Sequence, residues 1–172
     1  DKETGHIYVL TSQSEKEDIA SLENLYKIGY SSTSVQERIK NAENQPTYLM
    51  ASVKIESSWM CYNMNAQKFE SLVHRFFGHT CLEIDVFDHK GIRHTPREWF
   101  IAPLEAIEQA ISLLVSGEIV NYKYDKENEV IVVGVPGINN TADLGTKALD
   151  ATRIKTLSSW IGVGSEFNLA ND

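Results

Sequence analysis

The sequence predicts a mixed α/β (α+β) fold, a small central antiparallel sheet flanked by helices. Three observations predict it. Gly5-His6-Ile7-Tyr8-Val9-Leu10 and Leu25-Tyr26-Lys27-Ile28-Gly29-Tyr30 read as two short strands, each with a polar reactive group at its centre. Ser34-Val35-Gln36-Glu37 has the Ser-x-x-Glu spacing of a helix N-terminus. Phe69, Leu72, Val73, Phe76 and Phe77 recur at the spacing of a helix face turned to a core.

In chain order, the first strand covers about His6 to Thr11, and the Ser- and Glu-rich stretch from Ser12 to Asn24 reads as a loop or a marginal helix. The second strand ends at Gly29. A first helix entered through Ser34 stops before Gln45-Pro46, because proline disfavours helical geometry in the residue before it. Tyr48 to Glu56 mixes apolar and β-branched residues as strands do, and Trp59 to Asn63 links it to a second helix over about Asn65 to Gly78. Leu82 to Phe87 alternates like a half-exposed strand, and Asp88-His89-Lys90-Gly91 turns it towards Arg97-Glu98-Trp99-Phe100-Ile101 as a hairpin. Pro103 opens a third helix and Gly117 closes it. Val130 to Val135 has the texture of one more strand, and Ser165 to Asp172 reads as a frayed end.

At 172 residues, with 42% of them hydrophobic, the chain suits one domain plus an extension: residues 1–130, then residues 131–172. No apolar run is long enough to span a membrane. The chain opens Asp1-Lys2-Glu3-Thr4-Gly5, without a leader, which reads as a fragment and not a secreted precursor; cytoplasmic is the expected location. Cys61 and Cys81 fit neither a disulfide framework nor a zinc spacing and read as free thiols. The net charge of −8 weighs against nucleic acid as a partner. That acidity is uneven, however: residues 1–100 hold 11 Lys and Arg against 14 Asp and Glu, and residues 101–172 hold 5 against 10. A basic face on the first part therefore remains compatible with DNA, with affinity supplemented by a partner protein or a neighbouring domain.

The reactive groups lie early. If the first two strands pair antiparallel, Tyr8 and Lys27 converge on one face, and an ammonium near a phenol favours the phenolate, lowering the pKa of a would-be general base. Tyr26 and Tyr30 are the alternative phenols, on the opposite face by strand alternation. Arg38 sits one turn into the first helix. Glu70 and His74 lie four apart on the flank of the second helix's apolar stripe, where a side chain reaches a cleft while the backbone stays packed. Tyrosine, lysine, arginine and a lone glutamate are the groups that metal-assisted phosphodiester cleavage needs. His89, Lys90, Arg93, His94 and Arg97 form a basic turn suited to DNA backbone contacts.

The order and context of these strings resemble the GIY-YIG nuclease superfamily over about residues 5–114. They are most similar to its T5orf172 branch, whose second strand reads Lys-Ile-Gly and which also shows the Arg97-Glu98-Trp99-Phe100 string. The resemblance implies a DNA endonuclease dependent on Mg²⁺ or Mn²⁺ that leaves 5′-phosphate and 3′-hydroxyl ends. It implies Glu70 as the protein ligand of the metal, Arg38 on the scissile phosphate, and Tyr8, aided by Lys27, as proton acceptor, with His74 as an auxiliary group. Lys90, Arg93 and Arg97 are then the candidate substrate-binding residues. Two positions depart from the superfamily pattern: His6 stands at the first glycine of its name, and Ala42 stands where several members carry histidine or tyrosine one turn after the arginine. Such departures, and the acidity, keep open a non-catalytic nucleic-acid- or protein-binding module on the same fold, and an effector domain of a larger defence or mobile-element protein.

Past Asp125 the texture changes. Asn140 to Leu149 resembles the last motif of the RNase H domain of Copia-type retroelements, in which the aspartate matching Asp143 binds metal; the preceding parts of such a domain are missing. Ile154, Leu157, Trp160 and Ile161 have the spacing of a short amphipathic helix, expected to pack on the outside of the domain.

Overall fold

The structure, a computed structural model, describes residues 2–134 and the backbone of residues 148–149 and 165–168. The Asp143 motif and the helix expected over Ile154 to Ile161 lie outside the described residues, apart from Ala148 and Leu149.

Three long strands make the centre. β1 (Thr4–Ser12) runs antiparallel to β2 (Leu25–Ser31) on one side and to β3 (Val53–Tyr62) on the other. Between β1 and β2 lies a single helical turn, α1 (Glu17–Ala20). β2 runs two residues past Gly29. β3 begins at Val53 and takes in Trp59 to Tyr62, the segment expected to be a link. Tyr48 instead closes a 3-10 turn, Pro46–Tyr48, and the chain reverses through Leu49 and Met50 at φ 59° and 55°.

The helix after Ser34 is also shorter than its pattern. The Ser34 hydroxyl accepts from the Glu37 amide at 3.2 Å, as the capping spacing requires, but α2 is only Val35–Arg38. Asn41 takes the left-handed conformation (φ 62°), which asparagine tolerates, and the chain continues as a 3-10 turn over Ala42–Asn44. α3 (Ala66–Phe77) follows β3, its Asn65 cap accepting from the Lys68 amide at 2.9 Å.

The hairpin expected between Leu82 and Ile101 resolves into two separate pairings. β4 (Val86–Phe87) pairs with β5 (Arg93–His94), and β6 (Trp99–Ile101) joins the main sheet beside β2. α4 (Leu104–Ser116) begins after Pro103 and ends at Gly117, which supplies the positive φ (84°) of its cap. β7 (Tyr122–Asp125), absent from the sequence reading, forms a hairpin with β8 (Val130–Val133), and β9 (Ala148–Leu149) pairs with β8. β10 (Ser165–Asn168) pairs with β3, so the first four residues of the segment read as a frayed end lie along the sheet's outer edge, in the order β10-β3-β1-β2-β6, and the rest of it lies outside the described residues.

Alternation along β1 and β2 gives the sheet two chemically different faces. Ile7, Val9 and Ile28 face α3 and α4 and share the largest core cluster with Phe69, Phe76, Phe77, Phe100, Ile107 and Ile111. Ile131 of β8 is buried in the same cluster. Tyr8, Leu10 and Lys27 face the other way, towards the loop that carries Arg38 and Tyr48. Cys61 and Cys81 are free thiols, as expected, and burial pushes Cys61 up to about 11. Among the described residues no helix is long and apolar enough to cross a membrane.

Candidate active site

Tyr8 and Lys27 do share a face. Tyr8 stands opposite Gly29 and Leu10 opposite Lys27, which makes the two reactive residues diagonal neighbours on adjacent strands. Glycine at 29 is a steric requirement: a Cβ there would fall on the Tyr8 ring at Cζ and the hydroxyl oxygen. Tyr30 lies over Gly5 in the same way on the opposite face, and Tyr26 shares that face, so neither is an alternative to Tyr8.

Tyr8 is 2% exposed, and its hydroxyl meets the Tyr48 hydroxyl at 3.5 Å. The Tyr48 hydroxyl donates its one proton to the Arg38 carbonyl at 3.3 Å. Tyr8 must therefore donate to Tyr48, which leaves the lone pairs of the Tyr8 oxygen to accept from another group. Burial first, then this hydrogen bond, hold the Tyr8 pKa far above its ordinary value. The cation that acts against them is Arg38, not Lys27, and it does not prevail. Desolvation thus acts against the phenolate expected at Tyr8.

Lys27 is 3% exposed, and burial lowers its pKa to about 8. Its ammonium donates to the Thr47 hydroxyl at 3.1 Å and lies 3.7 Å from the Glu98 carboxylate. Glu98, and more weakly Glu70, pull the pKa back up, whereas Arg38 pushes it down. Glu98 is the acid in contact with the Lys27 amine. Glu70 is exposed on α3. β6 pairs with β2 only over Leu25 to Lys27.

Tyr48 is the residue that sequence reasoning missed. It is fully buried, packs with Tyr8, Leu10, Val35 and Ala42, and its ring lies 5.4 Å from the Lys27 ammonium and 5.5 Å from the Arg38 guanidinium. The small side chain of Ala42 belongs to the cluster that seats this ring. No local pattern marks it: Pro46 opens the 3-10 turn that Tyr48 closes, and the chain then reverses through Leu49 and Met50 at positive φ, which neither residue type announces.

His74 sits elsewhere. Its ring stands edge-on to Phe100 at 5.4 Å, and Phe100 pairs with Tyr26, on the face opposite Lys27. The auxiliary role read for it therefore has no support in this packing. The basic turn is partly matched by acids: Arg93 lies 3.9 Å from Asp85, and His94 lies 2.8 Å from Asp88, whose pKa is lowered chiefly by that contact. His89 bonds Asn44 at 2.8 Å, which ties the β4–β5 turn to the 3-10 turn that follows α2. The Arg97 carbonyl accepts from the Cys81 thiol at 3.2 Å, and its guanidinium charge acts on that thiol.

Among the described residues, no three His, Cys, Asp or Glu side chains gather as a metal cage. Mg²⁺ is commonly held by one or two carboxylates, with waters and substrate phosphates completing its shell, and a single exposed carboxylate such as Glu70 is compatible with such a donor set.

Comparison with known proteins places residues 5–115 within the T5orf172 domain family model. The match ends short of Asn140–Leu149, so the likeness of that segment to a retroelement RNase H is not supported. The chain is also 44% identical, over 115 residues, to the uncharacterised protein YeeC of Bacillus subtilis (strain 168). The aligned part is 67% of this chain and 30% of YeeC, so the chain spans less than a third of that relative. No solved structure matches.

Proposed function

The chain belongs to the T5orf172 domain family, a nuclease-related one, and from that premise we propose that it is a Mg²⁺- or Mn²⁺-dependent DNA endonuclease. The observation that supports this most is the convergence of Tyr8, Tyr48, Lys27 and Arg38 on one face of the sheet. Phosphodiester hydrolysis needs a held phosphate, an oriented water and a proton acceptor, and each has a candidate here.

Arg38 binds the scissile phosphate. Its planar fork matches phosphoryl oxygens in two-point contact and stabilises the charge that builds on them. The Tyr8 oxygen accepts a hydrogen bond from the attacking water and orients it. Lys27 accepts the proton: a buried lysine with a pKa of about 8 is half in its free-base form at pH 8 and about one-tenth at pH 7, whereas the Tyr8 phenol stays protonated. The water oxygen then bonds to phosphorus as the bond to the 3′ oxygen breaks, and the 3′ oxygen takes a proton from solvent. The products are a 5′-phosphate and a 3′-hydroxyl. Glu70 would hold the divalent metal, which supplies Lewis-acid charge to the phosphate oxygens when bound.

The net charge of −8 favours a second reading, a module that binds without turnover. Because the aligned part is only 30% of YeeC, we also propose that a neighbouring domain or partner protein supplies DNA affinity. Incubation of plasmid DNA with the chain and Mn²⁺, with and without chelator, separates the readings. Metal-dependent nicks that DNA ligase seals report the predicted ends; no nicking on plasmid or branched DNA supports the binder.

A further inference from the structure

The β4–β5 turn carries a feature that hydrolysis does not use. Phe87 and Ile92 are 58% and 54% exposed, the two most exposed large apolar side chains among the described residues. They flank a tip that is held rigidly. The Asp88 carboxylate accepts from the Lys90 amide at 2.8 Å, from the Ile92 amide at 2.9 Å and from His94 at 2.8 Å, while the Asp88 amide donates to the Ile92 carbonyl at 3.0 Å. Asp85 is engaged by Thr95 at 2.7 Å and by Arg93. The acids of this hairpin are thus turned onto its own groups, and His89, Lys90 and Arg93 border the apolar pair. The turn is tied to the 3-10 turn over Ala42–Asn44 through His89 and Asn44.

Exposed apolar side chains bordered by cations, on a stiff hairpin tied through His89 to the 3-10 turn that follows Arg38, match a nucleic-acid wedge. Proteins that kink a duplex insert such side chains between base steps while basic groups hold the flanking phosphates. We propose, resting on the DNA reading of the adjacent site, that Phe87 and Ile92 unstack bases next to the scissile phosphate. The substrate class is then duplex DNA whose stacking is already weakened, by a nick, a bulge or a branch. Unstacking costs least where a base is mismatched or already unpaired, so the wedge converts local distortion into preference.

The test uses the whole chain in EDTA, where no cleavage occurs, with perfect and bulged duplexes carrying 2-aminopurine. The parent is expected to bind the bulged duplex about tenfold more tightly than the perfect one, the loss expected per stacked base on truncation to alanine, and to raise 2-aminopurine fluorescence. Phe87→Ala with Ile92→Ala is expected to remove both the preference and the fluorescence rise with an unchanged melting temperature, because both side chains are exposed. Lys90→Gln is expected to weaken the two duplexes alike. Unstacking without metal-dependent nicking upholds the wedge and fails the nuclease reading. Nicking without unstacking overturns the wedge, as does a double variant that keeps the preference or changes only the chain's self-association.

Discussion

The Tyr8 ring fills the space that a side chain at position 29 would need: a Cβ on Gly29 would land on the ring's Cζ and hydroxyl. The lysine-isoleucine-glycine string on β2 therefore serves two ends in three residues. Lys27 and Gly29 share a face, one supplying a buried amine and the other leaving room for the phenol.

Gly29→Ala is accordingly expected to displace Tyr8, costing about 1–3 kcal/mol of stability and most of the nicking activity. Gly5→Ala is the matched control. Its Cβ would fall on Tyr30, on the opposite face, so it should destabilise comparably while nicking falls far less. Equal loss of activity in the two variants would mean that the Tyr8 position has no special importance.

Tyr48→Phe keeps the buried ring and removes the hydroxyl that joins Tyr8 to the Arg38 carbonyl. Nicking is expected to fall about a hundredfold, the scale of a misplaced reacting group, with little change in melting temperature. Tyr48→Ala should instead destabilise by about 3–5 kcal/mol, as truncation of a large buried aromatic does. Parental nicking by the phenylalanine variant would remove Tyr48 from the site.

Lys27 makes a prediction about stability and pH. Its ordinary pKa is 10.5, and in the fold it is about 8, so between these values the unfolded chain binds more protons than the folded one. Folding is penalised below pH 8, and stability recovers as pH rises from 8 to 10.5. Lys27→Met, which cannot titrate, is expected to be more stable than the parent at pH 7 by about 1–3 kcal/mol, with the advantage narrowing across that window. Thermal melts at pH 7, 8.5 and 10 read this directly. A constant difference at all three would show that the amine is not desolvated as described.

The same amine sets the expected rate profile. If Lys27 accepts the proton, nicking rises with pH until about 8 and then levels, and Lys27→Gln loses that limb. Tyr8→Phe, which only orients the water, lowers the rate about a hundredfold but keeps the shape. A rate that falls on passing pH 8 would assign Lys27 an electrostatic role as its ammonium instead.

How much of this was legible in the sequence depends on how local the cause is. Strand alternation placed Tyr8 with Lys27 and put Tyr26 and Tyr30 on the other face, because period-two geometry is local. The Ser34 and Asn65 caps and the Gly117 stop were readable for the same reason. The break after Arg38 was not, since it turns on Asn41 entering the left-handed region, and that same turn delivers Tyr48 to the site. Trp99 was assigned to a hairpin with Leu82–Phe87, yet its strand pairs with β2, a partner about seventy positions away that no local pattern encodes. Burial also reversed a charge argument: the proximity of Tyr8 and Lys27 was foreseeable, but the desolvation that keeps the phenol protonated and depresses the amine depends on Tyr48 and the loop above them.

The most direct test of the central claim is metal-dependent nicking of supercoiled plasmid by the parent and by Glu70→Gln in Mn²⁺, with melting temperatures measured in parallel. Glu70 is exposed on α3, so the variant should fold as the parent does. The parent is expected to nick only with metal, and the variant to be slower by at least about a hundredfold. Cleavage by Glu70→Gln within about tenfold of the parent, or parental cleavage that persists in chelator, would contradict the assignment of Glu70 and of the site built around it.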